Sequence, residues 1–346
     1  VLIKEAFELD YPKAWTSNKV LPVQNPDPSL LQGLELEIEA ASFEWEIAGM
    51  EAKEDGSLRN NGVEFVLRPM TYSHVQYVLT SFFQRAGLHT DNDVNYSERT
   101  SIHVHTNCLD LTIEQVTSIL MLYQVFEDLL FEWVGNDRKD NIFCVPWSQT
   151  QLTHGALNSL ESFVNMASVD RNKYTAVNIV PLKSLGTIEW RHMAGTCNVI
   201  RIMQWLRFIG HFYRIVRNNS LETIRDRVVN LNTTSEYEAI VNWLFNEDAP
   251  QLKFPGFREH LEEGVLNMKY SINKIKPSKR KGLVFDDVLA RDIRITSEAE
   301  GIYAELATRN IQVDGNFIQY RPNTTGATFN WEEPPVTTGT GTGVPF

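Results

Sequence analysis

Hydrophobic and polar positions alternate along this chain with two different periods, and the switches between them predict an α+β protein. Over residues 33–70 the period is two, broken by the turn-rich Glu54-Asp55-Gly56-Ser57 and by Asn60-Asn61-Gly62. Residues 101–106, 174–181 and 186–193 predict three further strands. Helical spacing takes over at 72–86, at 111–134 and at 198–218. Ile113, Val116, Leu120, Tyr123 and Leu130 line one side of the second helix, and Ile202, Trp205, Ile209, Phe212 and Val216 one side of the third. Pro12, Pro22, Pro26 and Pro28 interrupt any period near the start, so residues 1–32 read as an irregular lead-in. Residues 33–220 then form the core, and 221–334 a mainly helical continuation of the same domain. Residues 335–346, rich in Thr, Gly and Pro, read as a flexible tail.

Composition adds limits to this outline. Hydrophobic residues make up 42% of the 346, with 18 Phe and 8 Trp, enough to bury a sizeable core. The formal net charge of −12 makes the protein a poor generic nucleic-acid binder, although a local basic pocket is compatible with it. Cys108, Cys144 and Cys197 are widely spaced and form no CxxC pair, so neither a zinc knuckle nor a disulfide framework is expected. With no leader pattern read in the opening residues, the expected setting is cytoplasmic. The most apolar helical stretch, 119–134, carries Glu127, Asp128 and Glu132, which makes it a core helix and not a membrane span.

Four strand candidates each place chemistry-bearing side chains on one face, because residues i and i+2 of a strand point the same way. Glu35, Glu37 and Glu39 oppose Leu34, Leu36 and Ile38; Glu64 opposes Val63, Phe65 and Leu67. His103 and His105 oppose Ile102 and Val104; Glu189 and Arg191 oppose Ile188 and Trp190. Each pattern alone also fits something plainer: a half-exposed strand, a surface histidine pair, a same-face ion pair. Asp55-Gly56-Ser57 by itself reads as a turn. If the strands share one sheet, its polar face gathers carboxylates that would repel one another and raise their own pKa values. Divalent cations remove that difficulty, and oxygen-rich sets with an imidazole suit Mg²⁺ or Mn²⁺.

The segments GLELEIEA, EDGSLRNNGVEFVLRP, SIHVHTN, RKDNIFCVP, NKYTAVNI and GTIEWRHMAGT, taken in this order over residues 33–212, resemble the successive motifs of the amidoligase family. That family belongs to the glutamine synthetase-like carboxylate–amine ligases, and IHVH and TIEWR also resemble glutamine synthetase's own His-x-His and Glu-x-Arg strands. The resemblance implies a curved antiparallel β-sheet of the glutamine synthetase catalytic type, packed against long helices. It further implies Glu35, Glu37, Glu64, His103 and Glu189 as ligands of two or three Mg²⁺ or Mn²⁺ ions bridging ATP phosphates. Arg191 would neutralise the transferring phosphoryl group, with His105 beside it and Glu189 shared between metal and catalysis. Arg138, Lys173, Tyr174 and Asn178 match family positions that contact substrate or phosphate, while Arg171 is a nearby cation without a match. Trp190 stands where Phe is more usual, on the apolar face, so only repacking is expected.

The implied activity is ATP-dependent formation of an amide or isopeptide bond between a carboxylate substrate and an amine substrate, through an acyl phosphate. Either substrate could be an amino acid, a peptide, a cell-wall fragment or a protein side chain. The family's analogies lie in peptide-tagging and envelope-modifying gene neighbourhoods, many of them in phages. Amide hydrolysis on the same fold, and a non-catalytic binding or structural protein retaining it, are the alternatives, and oligomerisation stays open. No G-x-x-x-x-G-K-[ST] run or G-x-S-x-G elbow is present, which sets aside P-loop and serine-elbow chemistry. No residue stands out as the general base, and the basic run at 274–281 reads as a solvated loop.

Overall fold

A computed structural model describes residues 1–9, 31–93, 96–135, 138–139, 141–150, 160–229, 231, 234–273, 311–314 and 317–320. The expected tail at 335–346 and the basic run at 274–281 lie outside these residues, as does most of the lead-in.

The polypeptide forms a six-stranded antiparallel sheet that does not close. Its strands are β1 (Gln32–Ile38), β2 (Met50–Glu54), β3 (Val63–Met70), β4 (Ser101–Asn107), β5 (Val177–Asn178) and β6 (Thr187–Ala194), arranged β2-β3-β1-β4-β6-β5. The alternation of side chains works as expected. Leu34, Leu36, Ile38, Val63, Phe65, Leu67, Ile102, Val104, Ile188 and Trp190 are all buried in one core.

Three helices bring apolar stripes to that core: α1 (Tyr72–Ala86), α2 (Ile113–Val134) and α4 (Val199–Asn218). Their ends are set by capping groups. Thr112 Oγ1 accepts from Gln115 N–H and Gln115 Oε1 accepts from Thr112 N–H, so α2 begins two residues later than its hydrophobic period suggests. Asn198 likewise caps α4 by accepting from Arg201 N–H. A short helix α3 (Leu160–Ala167) precedes β5, and α5 (Leu221–Val229), α6 (Thr234–Phe245) and α7 (Phe257–Asn273) follow α4. Helix α7 lies so close to α2 that a Cβ on Gly264 would come within 2.0 Å of the Val125 carbonyl oxygen. The segment after residue 220 therefore packs into the same core, through Leu261, Val265 and Met268.

Two expectations need correcting. The strand predicted over 174–181 shrinks to the two residues of β5, between 3-10 turns at Asp170–Tyr174 and Val180–Lys183. Asn178 Oδ1 accepts from Val180 N–H, which turns the chain away, and Pro181 has no N–H to continue a ladder. The range expected to be mainly helical also contains a strand pair, Ile311–Asp314 with Phe317–Tyr320. No helix among the described residues is long and apolar enough to cross a membrane.

Candidate active site

The polar face of the sheet brings the expected acidic and imidazole side chains together because of register. Glu37 is paired with Glu64, Glu35 with His103, and His105 with Glu189. A bulge in β6 sets Arg191 and His192 against His103 alone, between the Val104–Trp190 and Ile102–Met193 pairs. Ordinary alternation puts Glu189 and Arg191 on the polar face, and the extra residue then returns Met193 to the core.

His103 is the hub. Its Nδ1 lies 3.1 Å from Glu35 Oε2 and 3.2 Å from Glu189 Oε1, and its Nε2 lies 2.7 Å from Ser101 Oγ and 3.9 Å from Glu37 Oε1. Ser101 Oγ also donates to Glu37 Oε2 at 2.5 Å. His105 Nδ1 meets Thr187 Oγ1 at 2.9 Å. Its Nε2 is buried, 3.2 Å from Glu35 Oε1 and 4.0 Å from Glu189 Oε2, yet without hydrogen-bond geometry to any group. Arg191 pairs with Glu189 and is steadied by donating Nε–H to the Phe143 carbonyl at 3.0 Å.

The carboxylates fall into two adjacent sets. Glu35, His103 and Glu189 offer ligand atoms within 4.8 Å of one another, and so do Glu37, Asp55 and Glu64. Electrostatics separates the two sets. Burial pushes Glu35 up, but the charge of His105, the hydrogen bond with His103 and the closeness of both imidazoles outweigh it and hold the carboxyl well below its usual range. In the second set, burial and then the negative charges of Glu35, Glu37 and Asp55 push Glu64 up to about 8, against the pull of Lys53. Burial lowers the His105 pKa, yet Glu35 and Glu189 bring the balance out above the ordinary value. Arg191 is likewise held charged, since Glu189 and Glu37 outweigh its burial.

These observations fit divalent cations. Three carboxylates crowded together without a matching cation, and a buried imidazole nitrogen aimed at carboxylate oxygens, are what a hard metal ion would satisfy.

Other expected residues are placed differently. Asn178 donates to Glu189 Oε2 at 2.5 Å, so it orients a carboxylate of the cluster. Arg138 is buried and donates to the carbonyls of His192, Arg191 and Glu98, bracing the backbone behind Arg191. Tyr174 packs on Phe143, with the Lys173 ammonium 5.1 Å from its ring centre; both lie beside the Phe143–Arg191 contact and not within the carboxylate sets. Glu39 is tied to Arg59 N–H and Ser97 Oγ, away from the cluster. Trp190 is fully buried, edge-on to Tyr123 and tilted on Phe212. Two members of the site escape the sequence patterns. Asp55 looks like a turn residue, but it continues the parity of Glu51 and Lys53 at the end of β2. Ser101 shares the parity of His103 and His105, a signal that was available and is easily passed over for a serine.

Residues 48–212 match the model of a family described as putative amidoligase enzyme. That segment belongs to the amidoligase family. A search of curated proteins finds no match to the chain. Within the amidoligase segment lie Asp55, Glu64, His103, His105, Asn178, Glu189 and Arg191, whereas β1, with Glu35 and Glu37, precedes the matched residues and completes both carboxylate sets from outside.

Proposed function

We propose that this protein is an ATP-dependent carboxylate–amine ligase whose sheet is of the glutamine synthetase catalytic type. The observation that carries the reading is the pair of adjacent carboxylate sets, Glu35–His103–Glu189 and Glu37–Asp55–Glu64, with one arginine at their edge. Such a face suits a polyphosphate brought in with its metal ions, because the carboxylates hold the cations and the guanidinium meets the phosphoryl oxygens. Bound Mg²⁺ or Mn²⁺ would neutralise the phosphates and polarise the transferring group.

The protein's own groups have definable tasks. Ser101 and Asn178 fix the rotamers of Glu37 and Glu189, so each carboxylate is aimed before anything binds. Thr187 fixes the His105 ring, leaving Nε2 directed at the cluster. The Phe143 carbonyl holds Arg191 in place through Nε, which leaves its terminal nitrogens for Glu189 and a phosphoryl oxygen. In the reaction a carboxylate oxygen takes the γ-phosphoryl group and ADP leaves. The amine nitrogen then bonds to the activated carbon, phosphate departs, and the amine gives up one proton.

Calorimetry with Mg²⁺ and a non-hydrolysable ATP analogue, with and without EDTA, tests the nucleotide site; equal affinity in both conditions would remove the metal assignment. Phosphate release that requires both an acid and an amine is the expected turnover signature. Amide cleavage without ATP consumption would replace the ligase reading by a hydrolase.

A further inference from the structure

Beside the carboxylate sets, the polar face holds a cavity of about 180 Å³ that no role described above uses. A second bulge creates it. Gln32 pairs with Met70 and Leu34 with Leu67, so Arg68 and Pro69 of β3 together face Gly33 of β1. Gly33 has no side chain to fill the space, and a Cβ there would lie 3.0 Å from the Leu67 carbonyl oxygen and 3.2 Å from Pro69 N. Proline suits this position because it has no ladder N–H to lose.

The lining is electrically polarised. Lys53 of β2 and Arg68 of β3 stand at one side, and Glu35 of β1 and His105 of β4 at the other. In the order β2-β3-β1-β4, Arg68 and Glu35 lie on neighbouring strands, about 5 Å apart between backbones, and Lys53 and His105 three spacings apart, about 15 Å. Glu51, which also lines the cavity, lies 4.0 Å from Arg68, while Val66, Pro69 and Leu185 supply apolar wall. Size is decisive. Sites for drug-sized ligands run to roughly 300–1,000 Å³, and the smaller volume here suits a single amino acid.

We propose that this cavity binds the amine substrate, and that the substrate is a small amino acid with a free carboxylate. Lys53 and Arg68 hold the carboxylate, and the amine end faces Glu35 and His105, at the edge of the cluster where the acid is activated. The inference rests on the ligase reading for the word substrate, but the binding itself does not depend on ATP turnover.

Saturation-transfer NMR with an equimolar pool of the twenty L-amino acids tests it, compared with pools of their N-acetyl derivatives and of their amides. Each pool is run with and without Mg²⁺ and the non-hydrolysable ATP analogue. Signals are expected for a subset of the free amino acids, with at least tenfold weaker binding of the matching amides and N-acetyl forms. Lys53→Met and Arg68→Met should each weaken that binding at least tenfold. Leu185→Trp, which fills the cavity from a half-exposed turn and leaves every charge in place, should abolish it without lowering Tm. Amides that bind as well as the free acids, or variants that bind like the unaltered protein, would overturn the proposal. Amino-acid binding without any phosphate release would leave this site standing and remove the ligase reading. Phosphate release with other amines, and no amino-acid binding, would do the reverse.

Discussion

Glu127 and Glu64 are both carboxylates drawn away from water, one behind the sheet and one on its polar face, and their surroundings are opposite. Glu127, in the middle of α2, accepts from the Tyr123 hydroxyl at 2.7 Å and from the N–H groups of Trp147 and Ser148. The Tyr123 oxygen also meets His192 Nε2 at 2.7 Å, inside a cage of Phe131, Trp190 and Trp205. Burial raises the Glu127 pKa, and four hydrogen bonds from its three partners pull it back. Glu64 has burial acting in the same direction, but its neighbours are Glu35, Glu37 and Asp55, which add to the rise. A buried carboxylate supplied with donors joins a helix to a loop. One supplied with further carboxylates has the composition that the proposed metal site requires. The same pair of residue types, glutamate and histidine, thus does structural work on one side of the sheet and forms the candidate site on the other.

The largest effect that would break this comparison is expected from Glu189→Gln. It keeps the shape and the Asn178 contact but removes the charge a metal ion needs, and turnover should fall at least about 10³-fold, equivalent to about 4 kcal/mol. Tm should stay within a few degrees. An unchanged kcat would reduce Glu189 to the structural partner of Arg191.

Behind the sheet the expected loss is of stability. Glu127→Ala strands the N–H groups of Trp147 and Ser148 and should cost about 3 kcal/mol in urea unfolding. The activity of the remaining folded fraction should change little. A variant as stable as the unaltered protein would mean that this network is not holding α2 to the 147–149 turn.

Metal should stabilise one side only. At a hundred times its dissociation constant, Mg²⁺ should add about 2.7 kcal/mol to the unaltered protein. Glu64→Gln should lose much of that increment while being more stable than the unaltered protein in EDTA at neutral pH, because folding no longer has to protonate a carboxyl pushed up to about 8. Lower stability of Glu64→Gln in EDTA would show that the crowding is already relieved within the protein.

The smallest effect is a pH slope from His192. Burial, and then the nearby Arg138 charge, push its pKa down to about 3. The unfolded chain takes up this proton below about 6.5, whereas the folded protein resists until about 3, so stability is lost as pH falls through that window. The slope approaches about 1.4 kcal/mol per pH unit. His192→Phe fits the aromatic cage and removes the term. Urea midpoints from pH 7 to pH 5 should therefore fall less steeply in the variant; parallel curves would show that folding leaves the His192 pKa unshifted.

Much of this protein was legible in its sequence, because two periods are simple to recognise and each fixes which side chains share a face. Leu34–Leu36–Ile38 against Glu35–Glu37, and the His103–His105 and Glu189–Arg191 pairs, declared the polar face and most of its cluster. Helices 72–86, 111–134 and 198–218 came within two residues of their ends, since caps such as Thr112 and Asn198 are local signals. Tertiary structure alone decided which strands are neighbours. Alternation states parity but not register, so nothing local showed that Glu37 would meet Glu64 or that Asp55 would fold over from its turn to join them. The bulges opposite Gly33 and His103 are likewise invisible to a strict period of two, yet one lines the cavity and the other returns Met193 to the core. Arg138 makes the same point: the family resemblance implied a substrate or phosphate contact, and only the fold shows that its guanidinium donates to three backbone carbonyls.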